Sequence, residues 1–334
     1  NVTWGKRSHL YRSTQIYLPH FKEWIRQNKI DLIIFNEQHE WKPVIECTKL
    51  GVITGAYIDY YKNETVPLFK AYDFLICNTK RHHSVFSWHP QAFYVPWGTN
   101  TELFKPLDHP RKDTKLVFFH SCGMNPKRKG TDLLLKAFMK VDRSQSRLVI
   151  HSQIPIKTSQ FVNQRLISQL LDEGSLNVIE RSVHAPGLYH LGDVYVYPTR
   201  LEGIGLTIAE AISCSLPVIV TDEQPMNEFV QSPDAGLLIK VDHKVKRADD
   251  YYWPQSICNV QSIVDNMSFY IDMKHQISEY KIKARNYAIQ NLDWKKNFNS
   301  FKNIIEKIKK INTEEKEEAM NSAIIHDKSR TISE

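Results

Sequence analysis

The chain has 334 residues, enough for about two domains at the usual size of roughly 150 residues each. Hydrophobic residues make up 42% of the sequence and charged residues 24%, a balance that excludes a largely disordered chain and a disulfide-rich miniprotein. The net charge of +7 would suit a phosphate-bearing ligand, an anionic membrane surface or nucleic acid, and does not choose among them.

The apolar runs and the cysteines give information on the cellular location of the protein. The longest apolar runs have the length of a strand, so no membrane-spanning segment is expected. Five cysteines are scattered along the chain without a Cys-x-x-Cys pair. We therefore predict buried thiols in a reducing, cytoplasmic compartment, where the basic protein could touch the inner face of a membrane.

The first third of the chain alternates between helical and strand patterns. Leu10 to Arg26 carries apolar residues at helical spacing. Strands are predicted at 30–36, 52–57 and 73–78, with helical stretches between them. Alternation of this kind is typical of crossover units in a parallel sheet. Three prolines and a glycine between Val95 and Pro110 then indicate a linker.

A second series of strands and helices follows the linker. The predicted strands are 115–120, 147–151, 177–180, 194–197 and 217–221, and the predicted helices are 132–140, 161–171 and 206–213. From about residue 259 to 311 the pattern is helical. We predict Rossmann-like domains at 1–106 and 107–290, a helix at 291–311 that returns to the first domain, and a disordered polar tail at 312–334. A ligand is expected at the carboxyl ends of the strands.

The segment from Asp193 to Asp222 carries the clearest chemical signal. A predicted strand ends in a loop that holds Glu202, and a helix is expected to start near Leu206. Glycines in this loop allow a ligand to approach the backbone, and the N–H groups at a helix start favour an anion such as phosphate. Glu210 falls about one turn inside the helix, where its carboxylate can accept hydrogen bonds from ribose hydroxyls.

This segment resembles the retaining glycosyltransferases of family 4, which have the GT-B fold. Their Glu-x7-Glu signature is matched by Glu202 and Glu210, within a matching Pro-Thr, Gly-x-Gly-Leu and Leu-Pro-Val-Ile context. The resemblance implies that Glu202 contacts the donor sugar at the reaction centre and that Glu210 binds the nucleotide ribose. It also places five neighbouring residues at the donor: Gly203, Ile204, Gly205, Leu206 and Thr207. The alternative is a solvent-facing loop glutamate and a helix glutamate that only supports the helix terminus.

A second match covers His120 to Phe138 and resembles the family's strand, loop, Lys-Gly and helix. Lys129 aligns with the lysine that neutralises the donor diphosphate, and a fixed cation does stabilise a leaving diphosphate. The family's arginine would fall near Gly123 or Met124. Lys127 or Arg128 could replace it, and we assign Gly123 and Arg128 to the donor site. The alternative is an exposed basic turn.

The resemblance is looser in the first third of the chain. The family often has His-Asp after the strand that follows Gly51, and this chain has Ile58 and Asp59. Asp59 is therefore the acceptor-side candidate, although a loop carboxylate without a role is an equal alternative. The resemblance implies a GT-B fold of two Rossmann-like domains facing each other across a cleft. The family's first strand is not recognisable, so the N-terminal domain is expected to be truncated.

The expected function is transfer of a hexose from a UDP- or GDP-linked sugar to an acceptor hydroxyl, with retention and without a metal. The expected acceptor is a glycan or a lipid-linked glycan, as in the synthesis of cell-surface glycans or glycolipids. No cofactor is expected. No Asp-x-Asp occurs, and His82, His83 and His89 lack cysteine or acidic neighbours at metal-ligand spacing.

Other functions remain open from the sequence alone. One is a non-catalytic protein that binds a nucleotide-sugar or acts as a scaffold, since the family's histidine and arginine are missing. Another is a nucleotide-sugar epimerase on the same fold. Nucleic acid is not an expected partner, because the basic residues form no stripe with interleaved aromatic side chains.

Overall fold

A computed structural model describes residues 2–5, 16–36, 40–107, 114–156, 160 and 162–333. Residues 10–15 of the predicted first helix and residues 108–110 of the predicted linker lie outside this description. The chain divides into two compact units. Unit 1 comprises Asn1–Pro96, Asp250–Tyr252 and Ser300–Glu334, and unit 2 comprises Trp97–Asp249 and Trp253–Asn299.

The division at Pro96 lies earlier than the expected domain boundary after residue 106. Residues that follow Pro96 are bonded into unit 2. The Thr99 N–H donates to the Leu292 carbonyl at 2.7 Å, and the Phe104 carbonyl accepts a hydrogen bond from Ser213 Oγ at 2.5 Å. The proline-rich composition therefore marks a segment that packs on unit 2 rather than a free linker.

Unit 1 is built on a four-stranded parallel sheet in the order β1-β2-β3-β4. The strands are β1 (Leu32–Asn36), β2 (Ile53–Tyr57), β3 (Phe74–Cys77) and β4 (Ala92–Tyr94). The helices before and between them are α1 (Leu18–Gln27), α2 (Trp41–Lys49), α3 (Lys80–Phe86) and a 3-10 turn at Val66–Ala71. Gly55 in β2 faces the Phe74 ring, and a Cβ on Gly55 would lie 2.2 Å from Phe74 Cζ. The order of these strands and helices along the chain confirms the predicted alternation of strands and helices in this region.

Unit 2 is built on a six-stranded parallel sheet in the order β10-β9-β8-β5-β6-β7. Its strands are β5 (Leu116–Gly123), β6 (Ser146–Ser152), β7 (Leu176–Glu180), β8 (Val194–Tyr197), β9 (Val218–Thr221) and β10 (Gly236–Ile239). The helices are α4 (Thr131–Phe138), α5 (Gln164–Asp172), α6 (Leu206–Ser213), α7 (Val260–Asp272) and α8 (Ile277–Asn291). A small antiparallel pair, β11 (Val241–Val245) and β12 (Gln255–Cys258), precedes α7.

Both faces of the unit 2 sheet are covered by helices. Leu116 and Phe118 of β5 lie in a core with residues of α4, α5 and α7, whereas Val117 and Phe119 lie in a second core with residues of α6 and α8. All residues of β8 and β9 are buried. Strands buried on both faces read as continuous apolar runs, which is why the sequence located them well.

The C-terminal region forms two helices, α9 (Trp294–Lys307) and α10 (Glu314–Ser333). Phe301, Ile304, Ile305 and Ile308 pack against the core of the unit 1 sheet. The expected disorder of residues 312–334 is wrong, because α10 buries Lys316, Ala319 and Ala323 along one stripe. Among the helices of the described residues, none has both the length and the apolarity needed to cross a membrane.

Candidate functional site

The order of strands in unit 2 brings two loops together. β5 pairs with β6 on one side and with β8 on the other, so the direction of the strand order reverses between β5 and β8. Ligands of open parallel sheets bind at such a reversal, beyond the carboxyl ends of the strands. The loop 124–130 follows β5 and the loop 198–205 follows β8, so both lie at this point.

The two loops are fixed against each other. Gly130 has φ +73°, and a Cβ there would lie 2.0 Å from the Pro198 carbonyl oxygen, so only glycine fits. The Arg200 N–H donates to the Arg128 carbonyl at 2.7 Å. The Arg200 guanidinium binds both carboxylate oxygens of Asp132 at 2.8 Å, a bidentate pair that adds geometric specificity.

Glu202 lies at the centre of the contact between these loops and is only 6% exposed. Lys129 Nζ donates to its Oε1 at 2.8 Å and to its Oε2 at 2.9 Å. Thr199 Oγ1 donates to Oε1 at 2.6 Å, and the Tyr197 hydroxyl donates to the same oxygen at 3.0 Å. Arg128 Nη1 lies 3.3 Å from Oε2. The Glu202 carboxylate therefore has both oxygens bonded to cations of the first loop.

The cluster is ionised and carries an excess of positive charge. Burial raises the pKa of Glu202, but the Lys129 and Arg128 charges outweigh this effect and hold the pKa below its ordinary value. Burial lowers the pKa of Lys129, against the opposing influence of the Glu202 charge. Two cations face one carboxylate, so the site is suited to a further anion.

The start of α6 borders the cluster. Gly205 caps the helix with φ +91°, in the left-handed region that favours glycine. The first N–H groups of a helix lack partners within the helix and attract anions. Cβ atoms built on Gly203 and on Gly123, at the end of β5, would meet no atom within 4 Å. Gly203 and Gly123 therefore border open space near the N-terminus of α6, whereas a Cβ on Gly205 would lie 3.3 Å from Ile208 Cδ1.

Glu210 lies one turn into α6 and belongs to a second group of polar contacts. The Tyr189 hydroxyl donates to Glu210 Oε2 at 2.5 Å. Burial raises the pKa of Glu210, and the Tyr189 hydrogen bond partly opposes that effect. One carboxylate oxygen is thus used by Tyr189, and the other is available to a ligand with hydroxyl groups.

A cavity of about 210 Å³ opens next to Glu210. Its lining includes Phe104, Phe119, Tyr189, Thr207 and the chain from Val183 to Leu188. Ser121 and His151 also line it. His151 Nε2 lies 2.9 Å from the Arg181 carbonyl and must donate to it, so Nδ1, at 3.1 Å from Ser121 Oγ, accepts the serine proton. The cavity combines aromatic walls with a few fixed polar groups, as binding sites for planar ligands do.

The remaining candidates take different places. Asp59 follows β2 in unit 1, where its backbone carbonyl accepts a hydrogen bond from the Tyr251 hydroxyl at 3.3 Å. Lys127 supplies a backbone carbonyl to Arg200, and the Arg128 side chain reaches Glu202 beside Lys129. Ile204 packs at the edge of the second core of unit 2.

The histidines considered for zinc are engaged in protein contacts. His82 Nδ1 lies 2.8 Å from the Tyr61 hydroxyl, and His89 Nε2 lies 3.2 Å from the Tyr72 carbonyl. Within the ranges that the structure describes, no group of three or more His, Cys, Asp or Glu side chains is placed to hold a metal ion.

Sequence reasoning missed the hydroxyl groups that orient the carboxylates. Tyr197 and Thr199 both bond Glu202, and Tyr189 bonds Glu210. Tyr197 alone gave a signal, as a hydroxyl at the end of a predicted buried strand, since a buried hydroxyl needs a partner. The identity of the partner depends on the strand order, which sequence spacing does not supply.

Part of the chain is similar in sequence to known proteins. Residues 114–250 match the family described as glycosyl transferases group 1. A protein named glycosyltransferase 45 of Sulfolobus islandicus filamentous virus is 26% identical over an alignment of 225 residues, and the alignment covers 64% of this chain. The chain spans 60% of the length of that relative.

Solved structures share the fold at low identity. A glycosyltransferase from Rickettsia africae superimposes with a TM-score of 0.69 at 14% identity, over 85% of this chain and 79% of that protein. Anabaena Alr3699/HepE in complex with UDP superimposes with a TM-score of 0.67 at 14% identity, over 86% of this chain and 82% of that protein. The chain therefore has the GT-B fold, and its residues 114–250 are similar to the family of glycosyl transferases group 1.

Proposed function

We propose that this protein is a glycosyltransferase that moves a hexose from a nucleoside diphosphate sugar to an acceptor hydroxyl, with retention and without a metal. The observation that carries the proposal is the cluster in which Lys129 and Arg128 surround Glu202 at the N-terminus of α6. The family match supports transferase chemistry, and the cluster supplies a place for a sugar diphosphate.

The diphosphate would bind at the excess positive charge. Lys129 and Arg128 are cations held by neighbouring groups, and the first turn of α6 adds N–H donors. When the bond between sugar and diphosphate breaks, negative charge grows on the leaving oxygen. Preorganised cations stabilise that charge more than they stabilise the bound substrate, which is how they lower the barrier.

The nucleoside would extend from the diphosphate toward Glu210. The free oxygen of the Glu210 carboxylate can accept hydrogen bonds from the two ribose hydroxyls. The adjoining cavity has aromatic walls and the Ser121–His151 pair, which suits a nucleobase. UDP is present in the structure of the Anabaena neighbour, so UDP is the first nucleotide to test. GDP is the second, because a GDP-linked sugar is the other expected donor.

Glu202 would face the sugar and the electron-poor carbon that forms as the diphosphate leaves. Its ionised state, maintained by Lys129 and Arg128, suits this electrostatic role. We favour attack by the acceptor on the same face, assisted by the leaving phosphate. Such attack preserves the configuration of the sugar.

The acceptor side of the proposal rests on chemistry outside unit 2. A glycan or lipid-linked glycan is the acceptor class we propose, with Asp59 of unit 1 as the candidate contact. All five cysteines are unpaired and buried, which supports a reducing, cytoplasmic location. The positive net charge would assist peripheral contact with an anionic membrane surface.

Nucleotide binding gives the test of this assignment. UDP or GDP should raise the melting temperature of the wild type, because a ligand at 100 times its Kd stabilises the native state by about 2.7 kcal/mol. Glu210→Ala should bind the same nucleotide about 10- to 100-fold more weakly, the usual consequence of losing hydrogen bonds to a charged group.

A matched control is available on α8. Glu279 is exposed and lies in the first turn of that helix, so Glu279→Ala should bind nucleotide as the wild type does. Isothermal titration of the three proteins measures the affinities directly. Equal affinities in the wild type and Glu210→Ala, or no binding of any nucleoside diphosphate, would contradict the proposed donor site.

A further inference from the structure

Tyr197 joins the two charged groups of the site through its hydroxyl. It is the last residue of β8 and is fully buried. Its hydroxyl accepts a hydrogen bond from Lys129 Nζ and donates one to Glu202 Oε1 at 3.0 Å. Lys129 Nζ also lies 5.0 Å from the centre of the Tyr197 ring, within the range of a cation–π contact.

The direction of these hydrogen bonds is fixed by chemistry. The lysine ammonium can only donate, and the ionised Glu202 carboxylate can only accept. The single phenol proton must therefore point to Glu202, and the phenol oxygen must accept from Lys129. Burial, with the nearby Glu202 charge, raises the pKa of Tyr197, so the phenol keeps its proton.

Within the described residues, Lys129 Nζ has only two hydrogen-bonding partners, Glu202 and Tyr197. Glu202 takes two of the ammonium protons and Tyr197 takes the third. A bound diphosphate would compete with Glu202 for the ammonium, because both are anions. Tyr197 is neutral and can keep its bond while the other protons turn to the diphosphate.

We propose that Tyr197 is a positioning residue that holds Lys129 within reach of both Glu202 and the donor diphosphate, and that it orients Glu202 through the same hydroxyl. The role rests on the proposed function. Tyr197 acts through these two side chains and needs no contact with the donor. Tyr197 therefore affects the chemical step more than nucleotide binding, which depends on Glu210.

Other groups near the lysine do not supply the same bond. Arg128 is a cation and cannot accept from Lys129. Cys122, buried on β5, is a neutral thiol because burial raises its pKa. His120 is neutral, since burial lowers its pKa to about 4, and both ring nitrogens are used: by the Val196 carbonyl and by Thr131 Oγ1, each at 2.8 Å.

Tyr197→Phe tests the proposal, because it removes one oxygen and keeps the ring. We expect kcat to fall by about 10- to 100-fold, as for loss of a hydrogen bond to a charged group. The donor KM should change by less than about threefold, because the nucleotide contacts remain. The pKa of Lys129 should fall, because a hydrogen bond that favours the charged form is lost. With ¹³C-labelled lysine, NMR reads this pKa from the Lys129 signal, assigned with Lys129→Arg.

Tyr195→Phe is the matched control. Tyr195 is buried on the same face of β8 and stacks on Tyr197 at 5.3 Å, but its hydroxyl is not one of the hydrogen-bonding partners of Lys129 in the described part of the chain. Its loss should leave kcat and the Lys129 pKa unchanged. Thr199→Val is a comparator that removes a hydroxyl from Glu202 without touching Lys129, so it should shift the Lys129 pKa less than Tyr197→Phe does.

The outcomes separate this inference from the proposed function. Equal kcat and equal Lys129 pKa in Tyr197→Phe and Tyr195→Phe would overturn the role of Tyr197. A wild type that transfers no sugar from any nucleotide donor would overturn the proposed function instead. In that case the NMR titration still decides whether Tyr197 holds Lys129. Thermal melts of all variants show that the comparison is made between folded proteins.

Discussion

Lys129→Met should lower kcat/KM for sugar transfer by about 100- to 1,000-fold, the usual loss when one preorganised stabilising group is removed from an active site. Methionine preserves the length and packing of the side chain but removes the charge that faces Glu202 at 2.8 Å. The diphosphate would leave with less stabilisation. The pKa of Glu202 would also rise, because Lys129 is the largest influence that opposes burial there.

The same lysine makes the wild-type reaction sensitive to alkaline pH. Only the protonated ammonium can stabilise the diphosphate, and burial lowers the pKa of Lys129 below that of a free lysine. Activity should therefore be full below this lowered pKa and decline as the pH rises through it. A pH profile of kcat/KM measures the position of the decline.

Lys136→Met on α4 is the control for the loss of a lysine charge. Lys136 is exposed on the helix that follows the Lys129 loop, so its replacement should leave kcat/KM within about twofold of the wild type. Steady-state kinetics on the three proteins suffices. If Lys129→Met and Lys136→Met have the same kcat/KM, Lys129 does not assist the departure of the diphosphate.

Asp73→Ala should destabilise unit 1 by about 3–5 kcal/mol, the usual cost of removing one partner from a buried ion pair. Asp73 is fully buried, and its Oδ1 accepts from Lys316 Nζ at 2.5 Å and from the Ile311 N–H at 2.7 Å. Its Oδ2 accepts from the Thr54 N–H at 2.8 Å. Alanine would leave the Lys316 charge and two N–H groups without these partners. Urea unfolding measures the loss, and hydrogen exchange of α10 locates it.

An exposed ion pair between α10 and the 3-10 turn Val66–Ala71 provides the comparison. Lys70 Nζ and Glu315 Oε2 lie 3.7 Å apart, and both side chains are exposed. Glu315→Ala should change stability by less than about 1 kcal/mol, because exposed pairs contribute little. If Asp73→Ala and Glu315→Ala had equal effects, the buried pair would not be what holds α10 to the sheet.

The second half of the chain could be predicted well because its patterns are local. The helix predicted at 206–213 is found at Leu206–Ser213, since two glycines precede an apolar helical run there. Strands β8 and β9 are continuous apolar segments, which a sheet covered on both faces requires. The family resemblance implied separate roles for Lys129 and Glu202 at the donor and did not predict the contact between them. The structure shows its geometry, which follows from the pairing of β5 with β8.

The wrong prediction for residues 312–334 and the hydrogen bonds that were missed both involve tertiary contacts. The polar composition of residues 312–334, low in aromatic residues, suggested disorder, but α10 has three buried positions. One of them is Lys316, whose charge is compensated by Asp73, a residue that is remote in sequence. The partners of the Tyr197 and Tyr189 hydroxyls could not be predicted for the same reason. These partners belong to other loops and helices.

Turnover of a nucleotide-sugar by the wild type and by Glu202→Gln decides whether the cluster around Glu202 is the catalytic site of a glycosyltransferase. The substitution keeps the shape of the side chain and removes the charge that Lys129 and Arg128 face. Release of nucleoside diphosphate from UDP- and GDP-hexoses can be followed with water or an added glycan as acceptor, beside titrations of UDP and GDP. We expect the wild type to turn over one of these donors, and Glu202→Gln to bind the nucleotide but to turn over at least about 100-fold more slowly. Nucleotide binding without turnover by the wild type, or equal turnover by the two proteins, would contradict the proposed function.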